Sequence, residues 1–596
     1  MKVLLLHPED SPTQGAWAES RWDLIVDLGF ASAYTYEEWC RRLGVRVLSI
    51  HQFAGQGESY RWVNEVIEGG RGRLFDRMGL DWWEILAVLR YQGLQAMFLL
   101  KQLRAEIDDD AKEIAASRPH LFSRLVEQIL GRRVKYFELE SRNPIRRATR
   151  MVRAARQFPL KQIVEIAFDK WDASYRVRRH VTRANRARLD DPVVMMPSAY
   201  SNVTRTVLAY AAQLPHRRFL LATTRRSAIP ASLPTNVTST SLAAYAQPSS
   251  RTRAEAEELK KAWEDFHRNV LQEVVDLRDA SKTGLWDSFP AELEQGLQLR
   301  EAWKHLLESE PVKGVLCGDD HNYFTRLPLI LAQRGGLEAV YCSHGALDGG
   351  FLFKMPTAHV FLVKGEIERD YLQHARAIEP EKICVAAPGS NRCEERDASV
   401  KIGADLVFFS QPYEVDGGRA DAIYRELLPR LLSVAQRSGR RLVIKLHPFE
   451  SQQGRRTLMN SIVPRDRLEQ VEIVSGVPAE QIIKRAWCGV AVDSSVAVEC
   501  TLKGVPFFLC GWLDSSGLGY LRQFARFGAG RVLQTPDSIE QIPDMVNEYR
   551  ANPAVLEKLW HEGDPRQLEQ IMFGRLGKAS LSMSGTLLNQ SYSSKT

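Results

Sequence analysis

Two short polar motifs in the last third of the chain contain residue types that could bind phosphate. In KLHP (445–448) a proline ends an aliphatic run and leaves the His447 imidazole at the end of a predicted strand. In DSS (493–495) two hydroxyls follow a second aliphatic run and precede a helical pattern that carries Glu499. The first N–H groups of a helix and the positive end of its dipole attract phosphate. An imidazole, two hydroxyls and a helix start would together suit the phosphates of a nucleotide.

Both motifs lie in a region where short aliphatic runs alternate with longer helical patterns, from about residue 401 to 510. Such alternation predicts a parallel sheet, which binds ligands at the carboxyl ends of its strands. Another predicted strand, at 406–410, ends in Ser410 and Gln411. Taken singly, His447 could be an ordinary surface histidine and either serine of DSS an ordinary helix cap. The ordered pair of motifs at strand ends favours a binding site.

Groups that could move a proton follow two predicted strands in the first two thirds of the chain. Asp319 and Asp320 come after the run at 312–317, and His344 follows the run at 339–342. A carboxylate or an imidazole at such a position can act as a general base. One of the two aspartates would instead cap the helix that follows.

A third polar group follows the predicted strand at 192–197. Ser198, Asn202 and Arg205 stand there at a strand end of the same half of the chain. Polar residues at such ends bind ligands more often than elsewhere, although loops are polar in any case. We expect these three to face a second substrate.

The HP motif followed by a Ser-Ser motif resembles that of bacterial glycosyltransferases that use CMP-activated acidic sugars. These are the sialyltransferases and polysialyltransferases and, more loosely, the Kdo transferases; the CDP-glycerol glycerophosphotransferases have a similar pair. The resemblance implies a metal-independent enzyme in which His447, Ser494 and Ser495 contact the phosphate of the sugar donor and Glu499 holds its ribose or base. It implies no cofactor besides the nucleotide-sugar co-substrate. The predicted donor-binding residues are Lys445, His447, Pro448, Ser494, Ser495, Glu499, Ser410 and Gln411.

The same resemblance leaves the catalytic group open. In sialyltransferases a pair of acids followed by glycine provides the general base, whereas here the glycine precedes Asp319 and Asp320. The His-Gly at His344 is similar to one in the glycerophosphotransferases and the Kdo transferases. The candidates are therefore Asp319, Asp320 and His344, with Ser198, Asn202 and Arg205 on the side of the acceptor.

The predicted fold class is α/β and GT-B-like, with two Rossmann-like domains facing a cleft and a helical insertion in the first. We place the first domain at 1–395, with the insertion at about 60–190, where apolar residues recur every three or four positions. The second domain is placed at 396–578. The serine-rich residues 579–596 are expected to form a disordered tail.

Composition supports a large globular protein: 596 residues, 44% hydrophobic and 26% charged. The net charge of +7 is unevenly spread, because residues 141–189 hold fourteen basic and three acidic residues. A solvated helical face is the ordinary interpretation of such a run. Since standard nucleic-acid motifs are missing from the sequence, we expect no nucleic-acid partner and consider docking on an anionic membrane.

The predicted location is the cytoplasm, with peripheral attachment to the inner face of the membrane. Eight cysteines are scattered without a CxxC spacing, as in a reducing compartment. The apolar run at the amino terminus is too short for the core of a signal peptide.

The predicted function is transfer of an acidic sugar, of the Kdo or sialic acid type, from a CMP-linked donor to a bacterial surface polysaccharide or lipid-linked glycan. Three alternatives stay open: a CDP-glycerol or polyol phosphotransferase, an enzyme like the UDP-sugar 2-epimerases, and a non-catalytic scaffold for polysaccharide assembly.

Overall fold

The computed structural model describes residues 1–574 except for the following: 8–9, 11–14, 29–32, 50–57, 105, 108–110, 120, 138–188, 226–227, 248, 274, 283, 321, 346, 348–357, 390–402, 414–419, 449 and 515–519. Nearly all of the basic segment 141–189, the predicted tail at 579–596 and the predicted boundary between 395 and 396 lie outside the described residues.

The amino-terminal part forms a five-stranded parallel sheet of order β3-β2-β1-β4-β5. Its strands are β1 (Lys2–Leu6), β2 (Leu24–Asp27), β3 (Arg46–Ser49), β4 (Glu113–Ala116) and β5 (Lys135–Tyr136). Its helices are α1 (Ala33–Leu43), α2 (Glu58–Gly69), α3 (Trp82–Ala87), α4 (Tyr91–Arg104) and α5 (Leu121–Leu130).

The second sheet has seven parallel strands in the order β12-β11-β10-β9-β6-β7-β8. Its strands are β6 (Val193–Ser198), β7 (Arg218–Thr223), β8 (Val237–Ser241), β9 (Val312–Cys317), β10 (Glu338–Cys342), β11 (Val360–Val363) and β12 (Ile383–Val385). Its helices are α6 (Ser201–Ala212), α7 (Ser250–Glu273), α8 (Val275–Lys282), α9 (Phe289–Ser309), α10 (Tyr323–Arg334) and α11 (Glu366–Arg376).

The third sheet has six parallel strands in the order β15-β14-β13-β16-β17-β18. Its strands are β13 (Asp405–Phe409), β14 (Arg441–Lys445), β15 (Val471–Val474), β16 (Ala486–Ala491), β17 (Phe507–Cys510) and β18 (Arg531–Leu533). Its helices are α12 (Ala420–Arg437), α13 (Gln452–Ile462), α14 (Arg465–Leu468), α15 (Ala479–Ile483), α16 (Val496–Leu502), α17 (Tyr520–Arg526), α18 (Ile542–Glu548) and α19 (Pro553–Leu559). A last helix, α20 (Pro565–Phe573), returns to pack on β9 and β10.

All three sheets have the Rossmann-like order in which the second and third strands lie on one side of the first and the later strands on the other. The central strands are largely aliphatic and buried; all six residues of β6 are buried, for example. Strands with both faces covered by helices need such continuous apolar runs. The second and third sheets are the two Rossmann-like domains predicted from the sequence, and the α/β, GT-B-like fold class is confirmed.

The first part of the chain differs from the prediction of one domain with a purely helical insertion. β1 pairs with β4, starting from Lys2 opposite Glu113, so β1 to β3 form a sheet of their own instead of extending the sheet of β6. The predicted insertion at 60–190 contains β4 and β5 beside its helices. These strands are four and two residues long, too short to interrupt the helical periodicity of the sequence. Among the described residues, no helix combines the length and the apolar composition needed to cross a bilayer.

A buried cluster of charges joins the loop before α3 to the helices of the second sheet. The Arg300 guanidinium lies 2.5 Å from Asp76 Oδ2 and donates two hydrogen bonds of 2.8 Å to the Glu255 carboxylate. All three side chains are almost fully buried. The arginine lowers the pKa of Glu255. Arg300 also pairs with Glu301, and its guanidinium is the cation that both buried carboxylates share.

The first prediction concerns this cluster. Arg300→Ala should lower the free energy of unfolding by about 3–5 kcal/mol, because it leaves two carboxylates buried without their counter-charge. Lys304→Ala is the matched control on the same helix; Lys304 is exposed and 3.9 Å from Glu308, so the change should cost at most about 1 kcal/mol. Urea unfolding followed by tryptophan fluorescence measures both, and equal losses in the two variants would contradict the prediction.

Candidate functional site

Polar groups converge where the strand order of the third sheet reverses, between β13 and β16. This reversal is the place where parallel sheets bind ligands. The Gln411 side-chain amide, after β13, donates a hydrogen bond to the backbone carbonyl of Asp493, after β16. Gln411 therefore fixes the spacing of the two strand ends.

The loop after β14 is held by a buried acid that the sequence prediction missed. Glu450 accepts hydrogen bonds from the His447 backbone N–H at 2.6 Å, from Ser410 Oγ at 2.7 Å and from Arg455 Nε at 2.6 Å. Burial raises the pKa of Glu450, although the Arg455 guanidinium opposes that shift. The Ser410 hydroxyl also accepts from Tyr424 at 2.8 Å. Ser410 is thus engaged in positioning the loop.

The His447 ring is partly buried and lies beside a buried cation. Burial and the nearby Lys445 ammonium lower the pKa of His447 to about 4. Burial also lowers the pKa of Lys445, whose ammonium donates to the Leu446 carbonyl at 2.6 Å. At neutral pH His447 therefore carries a neutral imidazole, which can donate one hydrogen bond and accept one. Pro448, directly after it, is exposed.

The two serines after β16 have different surroundings. The Ser494 hydroxyl accepts a hydrogen bond from the Val496 N–H at 3.3 Å and caps α16. Ser495 makes no side-chain capping bond and lines a pocket together with Glu499, one turn further along α16.

This pocket lies between the second and third sheets and has a volume of about 370 Å³. Both domains contribute charged or polar side chains to it. Those of the second domain are Arg205, His344, Lys364 and Glu368, and those of the third are Glu480, Ser495, Glu499 and Lys503. Apolar walls come from residues such as Ile483 and Trp560. The pocket therefore combines four residues predicted from sequence in one place: Arg205, His344, Ser495 and Glu499.

The tautomer of His344 follows from its partner. His344 Nδ1 lies 2.8 Å from the Gly318 carbonyl oxygen. A carbonyl oxygen only accepts, so Nδ1 carries the proton and Nε2 the lone pair. His344 also lines the pocket.

The turn after His344 is fixed by a buried ion pair. Lys364 Nζ donates to the Gly345 carbonyl at 2.9 Å and lies 3.2 Å from Glu368 Oε1. Glu368 is almost fully buried, and its second oxygen accepts from the Lys364 N–H at 2.7 Å. Each charge is thus compensated by the other, and the pair holds the His-Gly turn in place.

The two aspartates lie apart from the residues that line the pocket. Asp319 accepts a hydrogen bond from the Asn322 amide, and Asn322 caps α10 in place of either acid. Asp320 is fully buried and interacts electrostatically with Arg326. Arg326 donates to Glu84 at 2.8 Å, and its burial lowers its pKa to about 10. Neither aspartate is among the described residues that line the pocket.

The three residues that we expected on the acceptor side differ in whether they line the pocket. Ser198 is buried, and its hydroxyl is hydrogen-bonded to Thr204 Oγ1 at 2.7 Å and to the Tyr200 carbonyl at 3.2 Å. Asn202 is exposed and accepts from the Val203 N–H at 3.0 Å. Only Arg205 of the three lines the pocket among the described residues.

The pocket also contains charged residues that the sequence prediction missed. Lys364 follows β11 directly. His344 was predicted because it follows a strand of a parallel sheet, and the same criterion would have identified Lys364. Glu368, four residues later, lies in the first turn of α11 and pairs with Lys364. Glu480 and Lys503 lie at the ends of short helices and have no such signal.

Among the described residues, no group of three or more His, Cys, Asp and Glu side chains is arranged to hold a metal ion. Metal independence of the reaction stays a prediction.

Comparison with known proteins gives distant similarity in structure alone. No protein-family model matches the chain, and no curated protein is similar to it in sequence. Similar solved structures include the UDP-GlcNAc 2-epimerase from Methanocaldococcus jannaschii, with 12% identity over 64% of this chain and 98% of that chain and a TM-score of 0.38. The calicheamicin glycosyltransferase CalG4 has 14% identity over 65% and 95%, with a TM-score of 0.35. The wall teichoic acid polymerase TagF has 11% identity over 72% and 96%, with a TM-score of 0.37. These likenesses carry no argument about the site, and the fold class rests on the strand order.

The second prediction concerns the acid stability of the His447 loop. The pKa of His447 is about 4 in the folded protein and about 6.5 in the unfolded chain. As pH falls from about 6.5 to 4, the unfolded chain therefore binds a proton before the folded protein does, and the free energy of unfolding decreases. In His447→Asn, the decrease in the free energy of unfolding between pH 7 and 4 should be smaller than in wild type by about 1–3 kcal/mol. Thermal unfolding between pH 7 and 4 measures it, with the exposed His216→Asn as control. A difference between wild type and His447→Asn that is constant with pH would refute the prediction.

Proposed function

We propose that this chain is a glycosyltransferase that moves an acidic sugar, of the Kdo or sialic acid type, from a CMP-linked donor to a bacterial surface polysaccharide or lipid-linked glycan. The observation that carries the proposal is the pocket between two Rossmann-like domains, to which one domain contributes His344 and the other the Ser495 and Glu499 side chains. A transferase needs this division, because two substrates must meet in one cavity.

On the side of the third sheet, the donor phosphate would lie along the ends of β14 and β16. The neutral His447 imidazole and the serine hydroxyls would donate hydrogen bonds to phosphate oxygens, and Glu499 would accept from a ribose hydroxyl. Such fixed donors stabilise the charge that develops on the phosphate as the sugar leaves. Three further residues would hold these groups in position without contacting the phosphate: Lys445, Gln411 and Ser410. Their side chains form hydrogen bonds to the loop after β14 and to the strand ends.

On the side of the second sheet, His344 Nε2 would take the proton of the acceptor hydroxyl. The acceptor oxygen would then form a bond to the anomeric carbon while the bond from that carbon to the phosphate oxygen breaks. The electron pair of that bond leaves with CMP, and the proton stays on the imidazole. A histidine base with no covalent intermediate corresponds to a single displacement, which inverts the anomeric carbon.

A second candidate is transfer of a polyol phosphate from a CDP-linked donor. The observation that favours it is that His344 lines the pocket whereas Asp319 and Asp320 are absent from the described lining, since the resemblance to the glycerophosphotransferases includes this histidine. The acceptor oxygen would then attack phosphorus instead of carbon. Both reactions release CMP, so the donor that is consumed distinguishes them.

Location in the cytoplasm and docking on an anionic membrane through residues 141–189 stay predictions. Co-sedimentation of the full chain with vesicles of increasing anionic lipid content tests the docking, and binding that does not depend on that content would contradict it.

The third prediction concerns nucleotide selectivity. In a thermal-shift series with CMP, CDP, UDP and GDP, the cytidine nucleotides should raise the midpoint most, because a ligand that binds only the folded state stabilises it. His447→Ala should weaken CMP binding about tenfold. The exposed His216→Ala should leave it unchanged. Absence of a shift with every nucleotide would refute the proposed function and favour the scaffold.

The fourth prediction separates binding from chemistry. His344→Ala should lower kcat about 10²–10⁴-fold with CMP-linked donors, while CMP affinity stays within about threefold, because the base acts on the acceptor hydroxyl. The measurement is CMP release in the presence of a glycan acceptor, together with calorimetric titration of CMP. A His344→Ala variant with unchanged kcat would rule out this base.

A further inference from the structure

The charged residues that line the pocket differ in how fully they are compensated by neighbours. Lys364 and Glu368 form a buried pair with each other. Glu480 lies 3.4 Å from the exposed Lys484. The lining contains three Lys or Arg side chains and three Glu side chains. The two ion pairs compensate one of these cations, Lys364, and two of these acids, Glu368 and Glu480.

The remaining charges are Arg205, Lys503 and Glu499. Among the residues that the structure describes, neither Arg205 nor Lys503 has an ion pair or a side-chain hydrogen bond. Both act on Glu499, whose pKa burial raises even though Arg205, Lys364 and Lys503 oppose the shift. Arg205 and Lys503 therefore have the same acid, Glu499, as their neighbour, and burial favours the neutral form of that acid.

The two cations come from different domains. Arg205 is on α6, in the helix that follows the first strand of the second sheet, and its side chain is exposed. Lys503 ends α16 of the third sheet and is partly buried. An anion between them would gain a counter-charge from each domain, and its hydrogen bonds to charged donors would be stronger than those to neutral ones.

We propose that Arg205 and Lys503 bind the carboxylate of the acidic sugar in this pocket and make the enzyme selective for carboxylate-bearing donors over neutral ones. The inference rests on the proposed function and names the group of the substrate that these two residues recognise. The cations provide discrimination because a carboxylate can accept charge-assisted hydrogen bonds from them that a neutral sugar cannot, in a pocket with apolar walls such as Trp560 and Ile483.

The test compares ligands that differ by one charge. CMP, CMP–sialic acid, CMP–Kdo and the methyl esters of the two CMP-sugars are titrated by calorimetry without acceptor. Wild type should bind at least one CMP-sugar about tenfold or more tightly than its methyl ester. Arg205→Gln and Lys503→Met should each remove most of that preference while CMP affinity changes less than about threefold. Arg205→Lys should restore part of it.

Matched controls come from exposed cations outside the pair. Arg522→Gln and Lys313→Met remove an exposed arginine of the third domain and an exposed lysine of the second domain that are absent from the described lining of the pocket, and both should retain the preference. Equal weakening of CMP and CMP-sugar by Arg205→Gln or Lys503→Met would overturn the inference, because the cations would then serve the phosphate. So would the lack of any preference for the acid over its ester in wild type. Failure of CMP itself to bind wild type refutes the proposed function as well, so the two failures are distinguishable.

Discussion

The site depends on one constraint, which is that strands hydrogen-bonded in parallel end together at one edge of their sheet. In the third domain this brings the loops after β13, β14 and β16 together, although about eighty residues separate the first from the last. In the second domain it does the same for the ends of β9, β10 and β11. Two such edges lie on either side of one pocket, and polar groups reach it from the ends of β10, β11 and β16 and from the helices that follow β6 and β15. The apolar strands behind the edges can stay fully buried because chemistry is confined to their last residues.

The polar residues at these edges divide into those that hold the loops and those that reach the pocket. Three side chains form hydrogen bonds that hold the ends of neighbouring strands together: those of Glu450, Gln411 and Ser410. Lys364 and Glu368 do the same for the turn that carries His344 while also lining the pocket. A buried acid or amide with all its partners present is rigid, since loss of one partner leaves a polar group without compensation. This rigidity places the His344 and His447 rings without any disulfide or metal among the described residues.

The sequence was sufficient to predict strand ends and insufficient to predict side-chain direction. Alternation of apolar runs and helices located β13 to β17, and the polar residue after each strand followed directly. Whether that residue points to the cleft or into the protein depends on packing against helices distant in sequence: Ser198 turns to Thr204, and Asp320 turns towards Arg326. Strands β4 and β5 of the first sheet were missed for a related reason. β4 and β5 are recognisable only through pairing with strands more than a hundred residues earlier or with each other.

The two ionisable groups at the predicted donor side, His447 and Glu499, share a bias towards their neutral forms. Burial lowers the pKa of His447 to about 4 and raises that of Glu499, so in both groups it disfavours the charged form. A bound phosphate would act on both in one direction. Its negative charge favours the protonated imidazolium and disfavours the ionised carboxylate, so both pKa values would rise. Donor binding at this edge would therefore be linked to proton uptake, and binding would strengthen as pH falls towards the raised pKa values.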